Sequence, residues 1–152
     1  MDVVVRGRRM KLTKAQREQV RLKFGGRCAY CGESLGDRWH ADHLLPVERK
    51  LEYVSGKGLV PNGELWRPEN DTIDNMMPAC PPCNIDKHSL SLEGWRRKLQ
   101  GATSVLTRNN PTYRHAKRFR LVQETGAKIR FHFEAPNAKV SGAGTASAGL
   151  PG

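Results

Sequence analysis

Two paired-cysteine motifs constrain this chain more than any other feature. All four cysteines fall in Cys28-x-x-Cys31 and Cys80-x-x-Cys83, with positions 32–79 between the pairs. Two such tight turns supply four thiolates, the shell that Zn(II) takes in tetrahedral geometry. Four sulfurs leave no coordination position open, so the spacing predicts a structural zinc that clamps both ends of the segment between the pairs. The alternatives are unligated core thiols or a disulfide. The N-terminus reads Met-Asp-Val-Val-Val-Arg, without the cationic start and long apolar stretch of a secretory signal. A soluble, cytoplasmic protein with reduced cysteines is expected, and there metal is favoured over disulfide.

A chain of 152 residues is one domain's worth of sequence. Only 38% of it is hydrophobic, so a metal prop for a modest core is no surprise. No run approaches the roughly 18 apolar residues of a membrane helix. The net charge is +11 and is unevenly spread. Residues 1–27 carry +7, residues 28–90 carry −4 and residues 91–152 carry +8. Basic flanks suit a polyanion such as nucleic acid, and an acidic middle suits a cation site. A merely solvated basic surface is the bland alternative.

Local patterns predict the elements. A basic arm (Arg6, Arg8, Arg9, Lys11) precedes a helix over 13–24, with Thr13 and Gln16 at capping-box spacing and Gly25-Gly26 as its stop. The helix face carries Lys14, Arg17, Arg21 and Lys23. Residues 39–45 read as a strand ending at Pro46, and 47–74 as loop-rich. A helix is expected from about Cys83 or Asn84, and another, capped by Ser91, to about Leu99. Asn110-Pro111 then opens a basic helix to about Glu124. Strict alternation over 128–134 predicts a half-buried strand. The Gly/Ala/Ser-rich residues 135–152 read as disordered. The expected organisation is a basic arm (1–12), a domain (13–134, core 27–90, basic extension 91–134) and a tail (135–152), with no internal repeat.

Between and beside the clamps lie His40-Ala41-Asp42-His43-Leu44-Leu45-Pro46, then Thr72-Ile73-Asp74-Asn75, then Cys83-Asn84-Ile85-Asp86-Lys87-His88. Each piece alone is weak. Together, over about residues 27–90, they resemble the HNH endonuclease family, the ββα-metal nucleases, and most of all small phage-encoded HNH proteins. The family pattern is a C-x-x-C, an Asp-His with an apolar pair and Pro, a middle Asn and a second C-x-x-C. A His or Asn follows the last Cys directly, with Lys three positions on. The resemblance implies an α+β fold with a ββα-metal, treble-clef-like core, flanking basic helices and a C-terminal strand.

It also implies roles. His43 is the general base, suited because a neutral imidazole takes a proton near physiological pH. Asp42 and Asn84 hold a catalytic Mg(II) or Mn(II), hard ions that oxygen ligands suit. Asn75 ties the loop that aims the base. The reaction would be hydrolysis of DNA phosphodiester bonds, leaving 5′-phosphate and 3′-hydroxyl ends. His88, four residues after Asn84, is a candidate third ligand, since the matching position binds metal in colicin-type members. The alternative is a capping or phosphate-facing histidine. His40 shares a strand face with Asp42 and can orient it, pack or touch the metal. Neighbours Asp42 and His43 reach one metal only if the strand ends or bends there.

For DNA contact, Lys87, Arg8, Arg9, Arg17, Arg21 and Arg118 are the candidates, as backbone binders that position rather than specify. Lys87 has a plain solvated lysine as its alternative. The long stretch from Leu44 to Asp74 reads as an enlarged hairpin loop in which Tyr53 and Trp66 either pack locally or stack on bases. Phage DNA processing is the implied setting, in host-cell cytoplasm, with packaging or processing proteins as partners. Three rival readings stand beside it: a non-catalytic zinc-stabilised DNA-binding module of the same fold, an RNA-cleaving HNH nuclease, and a nucleobase deaminase. The last lacks the required Glu and leaves Cys28 and Cys31 without a role.

Overall fold

Thr13 opens the first helix, α1 (Lys14–Arg21). Its hydroxyl accepts from the Gln16 N–H while the Gln16 side chain accepts from the Thr13 N–H, so two orphan donors are satisfied reciprocally. The helix tightens into a 3-10 turn, Leu22–Phe24, and stops at Gly25 with φ 64°. Glycine takes that left-handed conformation without a Cβ penalty. The computed structural model describes residues 9–139. The expectations for Arg6, Arg8 and the end of the tail, 140–152, therefore lie outside the described residues.

Strand β1 (His40–His43) pairs antiparallel with the last strand of the fold. Before that partner, the chain makes a separate two-stranded ribbon, β2 (Glu48–Val54) and β3 (Gly58–Trp66). It then returns as β4 (Met76–Ala79), with Asp42 opposite Met77 and His43 opposite Met76. All four β4 residues are buried. Helix α2 (Pro81–Lys87) follows Cys80 at once, a proline at its first position supplying a preset φ. β1, β4 and α2 make a ββα unit. The first cysteine turn docks on it through the Ala29 N–H, which donates to the Pro78 carbonyl at 2.8 Å. The chain is α+β, as expected.

The ribbon corrects the reading of 47–74 as loop-rich. Most of its apolar residues face outward: Tyr53 is 75% and Leu59 66% exposed, and only Leu65 is buried. With no continuous buried face to create alternation, and with Gly56, Gly58, Pro61 and Gly63 scattered through it, the segment carries no strand signal.

Past α2, Ser91 caps α3 (Leu92–Gln100) through the Gly94 N–H. An unanticipated helix α4 (Ala102–Asn109) comes next, then α5 (Pro111–Arg118), capped by Asn110. The reading of α5 to Glu124 was too long. Arg120 turns left-handed at φ 59°, and the Leu121 and Arg120 N–H groups close back on Ala116 and Lys117 carbonyls, the paired bonds of a Schellman ending. Glu124 then folds back onto the Tyr113 hydroxyl and Lys117 ammonium, each at 3.0 Å.

The expected C-terminal strand over 128–134 is also corrected. The segment is extended but joins no sheet and ends in a 3-10 turn, His132–Glu134. Its backbone is satisfied elsewhere. Ile129 N–H donates to the Gln100 side chain, while His132 and Phe133 donate to the carbonyls of Tyr30 and Ala29. Alternation reports a two-sided environment, not a strand partner. Residues 135–139 were read as disordered, yet Ala135 packs on the core and Ala138 is buried. The core is aromatic. Trp95 stacks on Phe131 at 5.0 Å, and Tyr30 meets Trp95 edge-on at 5.1 Å.

Candidate active site

The four cysteine sulfurs all lie within 4.8 Å of one another, and Cys31 Sγ stands 3.8 Å from Cys80 Sγ. Sulfurs at about 2.3 Å around a tetrahedral Zn(II) are about 3.8 Å apart, so the donor set fits zinc in type and spacing. The electrostatics point the same way. The Cys83 thiol donates to Cys28, and with backbone N–H groups it draws the Cys28 thiol down to about 4. The same bond pushes Cys83 up, and burial pushes Cys31 up to about 11. Without metal, one thiolate is held by its neighbours' protons. A dication is what lets the others ionise.

Beyond the first cysteine turn, β1 delivers Asp42 and His43 to one polar cleft of about 330 Å³. Asn84 and His88 line it from α2 and its end, and Arg9 from the arm. Adjacent strand residues ordinarily face opposite ways. These two converge because β1 ends at His43.

Asp42 is firmly held on one side. Its Oδ2 accepts from the Tyr30 hydroxyl at 2.5 Å and from the Lys87 ammonium at 3.0 Å. Its Oδ1 has no hydrogen bond among the described residues. Burial, reinforced by the Asp42 charge, pushes the Tyr30 hydroxyl far above its usual range, so it stays a proton donor. His43 Nε2 lies 2.7 Å from Asp71 Oδ1, and the pair is only 11% and 10% exposed. The His43 carbonyl accepts from Lys87 at 2.9 Å. Asn75 ties the loop after the base: its side chain bonds both the N–H and the carbonyl of Leu45, and the carbonyl of Asn70.

A protein of Bacillus subtilis (strain 168) named "SPbeta prophage-derived putative HNH endonuclease YoqL" is 29% identical over 86 residues, 55% of this chain. The chain resembles a phage HNH protein with a four-cysteine zinc site. It covers 33% of that relative's length. No family profile matches the chain, and no solved structure matches it with significance.

In HNH terms, Asp42, His43 and Asn84 share the cleft, while Asn75 sits behind it in the tying loop. His88 lines the cleft too. It caps α2 at φ 49° rather than continuing the helix, and its Nδ1 is 2.9 Å from the Ser89 hydroxyl. His40 lines the adjoining hollow of about 770 Å³ with Arg9, Arg17 and Arg38. Arg17 reaches there by stacking on Trp39 at 4.1 Å and donating to its carbonyl. Arg21 pairs with Glu18 at 3.4 Å, and Arg118 is exposed on α5.

Lys87 is a correction. It is fully buried and spent on Asp42 and the His43 carbonyl, so it is neither a phosphate contact nor a solvated lysine. Lys23 likewise leaves the basic helix face, donating to the carbonyls of Ile73, Asp74 and Met76. Tyr30 and Asp71 are the residues the sequence reading missed. Tyr30 lies inside a cysteine turn, where nothing local marks it as a partner of Asp42, 12 positions on. Asp71 precedes the middle Asn by four positions, and nothing local ties it to His43, 28 positions away. Among the described residues, no helix is long and apolar enough to cross a membrane.

Proposed function

We propose that the chain is a divalent-metal-dependent HNH endonuclease that hydrolyses DNA phosphodiester bonds, leaving 5′-phosphate and 3′-hydroxyl ends. The observation that carries this reading is the convergence of Asp42, His43 and Asn84 on one cleft beside a four-cysteine clamp. The free Oδ1 of Asp42 and the carboxamide of Asn84 are hard oxygen donors, so this pair fits Mg(II) or Mn(II), with His88 as the further ligand candidate. The bound ion supplies charge stabilisation at the phosphate and the leaving 3′ oxygen.

The chain's own residues do the rest. His43 Nδ1 takes a proton from water as the water oxygen bonds to phosphorus. The bond from phosphorus to the 3′ oxygen breaks, and that oxygen picks up a proton. Asn75 keeps the loop after His43 in place. Arg9, lining the cleft, faces the phosphate. Arg17 and Arg38 on one side, and Lys11 and Arg49 on the other, line hollows that continue from it and offer the backbone a basic path. Arg21 and Arg118 add affinity further out. By analogy with the prophage-derived relative, the setting is phage DNA processing in the host cytoplasm, alongside packaging or processing proteins.

The test is cleavage of supercoiled plasmid with Mg(II), Mn(II) or EDTA, comparing wild type with His43→Ala. Metal-dependent nicking by wild type alone is expected, with equal DNA shifts in a gel. Cleavage retained by His43→Ala, or binding without cleavage under every metal, overturns the reading.

A further inference from the structure

Asp71 is joined to two donors at once. Its Oδ1 lies 2.7 Å from His43 Nε2, and its Oδ2 accepts from the Met10 backbone N–H. The His43–Asp71 pair is nearly buried, where hydrogen bonds are electrostatically stronger than in water. The turn that carries Asp71 is itself fixed. Asp71 ends the 3-10 turn Pro68–Asn70, and Asn75 Nδ2 holds the Asn70 carbonyl at 2.8 Å. Met10 belongs to the arm, whose preceding residue, Arg9, lines the cleft and donates to the Val47 carbonyl.

We propose that Asp71 is a positioning residue: its carboxylate fixes the His43 ring with the proton on Nε2, leaves Nδ1 as the free base, and docks the basic arm at the site through Met10. The proposal rests on the reading of His43 as the general base. An ionised carboxylate only accepts, so a neutral imidazole facing it must carry its proton on Nε2. Nδ1, which has no hydrogen bond among the described residues, is then the basic nitrogen. The arrangement also makes an unusual demand of a substitution. The Met10 N–H can only donate. In Asp71→Asn the carboxamide oxygen therefore turns to Met10, and its NH₂ turns to His43 Nε2. That forces the proton onto Nδ1 and removes the base. Asp71→Ala imposes no tautomer and loses the ring's orientation and the Met10 contact.

The experiment measures single-turnover plasmid cleavage by full-length, zinc-loaded wild type, Asp71→Asn, Asp71→Ala and His43→Ala. In parallel, nitrogen NMR of histidine-labelled protein reads the neutral His43 tautomer in alkaline buffer. Wild type should show the proton on Nε2, and Asp71→Asn should show it on Nδ1. Cleavage should fall by about 10⁴ in Asp71→Asn, the size of a wrong-tautomer defect, and by clearly less in Asp71→Ala. A merely structural role gives the opposite order, because Ala removes more contacts than Asn. Asp71→Asn cleaving as well as Asp71→Ala, or an unchanged tautomer, overturns the proposal while an inactive His43→Ala leaves the base standing. An active His43→Ala overturns both.

Discussion

Lys87 buries an ammonium group beside the Asp42 carboxylate and under the His43 carbonyl, with its side chain 1% exposed. A buried charge stripped of its partner has nowhere to find compensation. Lys87→Met should therefore destabilise the fold by about 3 kcal/mol, the low end for a broken buried pair because Asp42 keeps the Tyr30 hydroxyl. Urea unfolding of the zinc-loaded protein measures this. The salt dependence of DNA binding should stay the same, since a lysine that never meets phosphate releases no counterion. A shallower salt slope at unchanged stability would return Lys87 to the DNA surface. At the same scale, Tyr30 shows how one side chain links clamp to site. Its ring packs on Trp95 and Phe131 while its hydroxyl holds Asp42.

The C-terminal segment shows what an element without a sheet needs. Arg96 on α3 grips it with both guanidinium nitrogens. Nη1 donates to Glu134 Oε2 at 3.0 Å and to the Ile129 carbonyl at 2.8 Å, and Nη2 pairs with Glu134 Oε1. Glu134 also accepts from the Phe131 N–H. The Arg96 hydrogen bonds, then the backbone one, hold the Glu134 carboxyl below its ordinary value of 4.5. A carboxylate with a depressed folded value adds stability above its unfolded value and loses it as pH falls through the folded value. Thermal melts should thus show wild type more stable than Glu134→Gln at neutral pH. The gap should close as pH drops below 4.5. A gap that is the same at all pH values would mean the carboxylate charge is irrelevant to docking this segment.

At the scale of the whole molecule, a zinc held by the four cysteines would fix the first cysteine turn to the start of α2, whose Asn84 lines the cleft. Cys80→Ser should lower the melting temperature sharply, release zinc to a colorimetric chelator, and abolish cleavage; melting like wild type would contradict a structural role. Zinc binding by the stripped protein should also strengthen with pH. The protons on Cys31 and Cys83, both held up by their surroundings, must leave before four thiolates can ligate. With only the Cys28 thiol ionised beforehand, three protons leave on ligation, which steepens the apparent affinity by up to about a thousandfold per pH unit through neutrality, readable by chelator competition. Pro78 and Met76, buried in β4, and the aromatic cluster around Trp95 bring α1, the clamp and α3 onto one core.

Local chemistry alone settled much of this. The paired cysteines, the capping box at Thr13 and the caps at Ser91 and Asn110 are short-range features, written within a few residues of the structures they make. Asp42, His43, Asn75 and Asn84 were legible only as a pattern of residue types at family spacing; the fold brings Asp42, His43 and Asn84 to one cleft and leaves Asn75 in the loop after the strand. Other features had no local signal. The β2–β3 ribbon buries only Leu65, so no periodicity marks it. The 128–134 segment alternates like a strand, but its His132 and Phe133 N–H groups find the Tyr30 and Ala29 carbonyls instead of a sheet. Lys87 and Lys23 look like surface lysines, and only packing shows that their charges turn inward. The order of residues alone carried the paired cysteines, the N-terminal helix caps and the types of group at the site. Tertiary structure alone decided that Asp71 meets His43 and that Lys87 and Tyr30 hold Asp42. Those contacts join residues 12 to 45 positions apart, and only a packed core brings such distant residues within hydrogen-bond range.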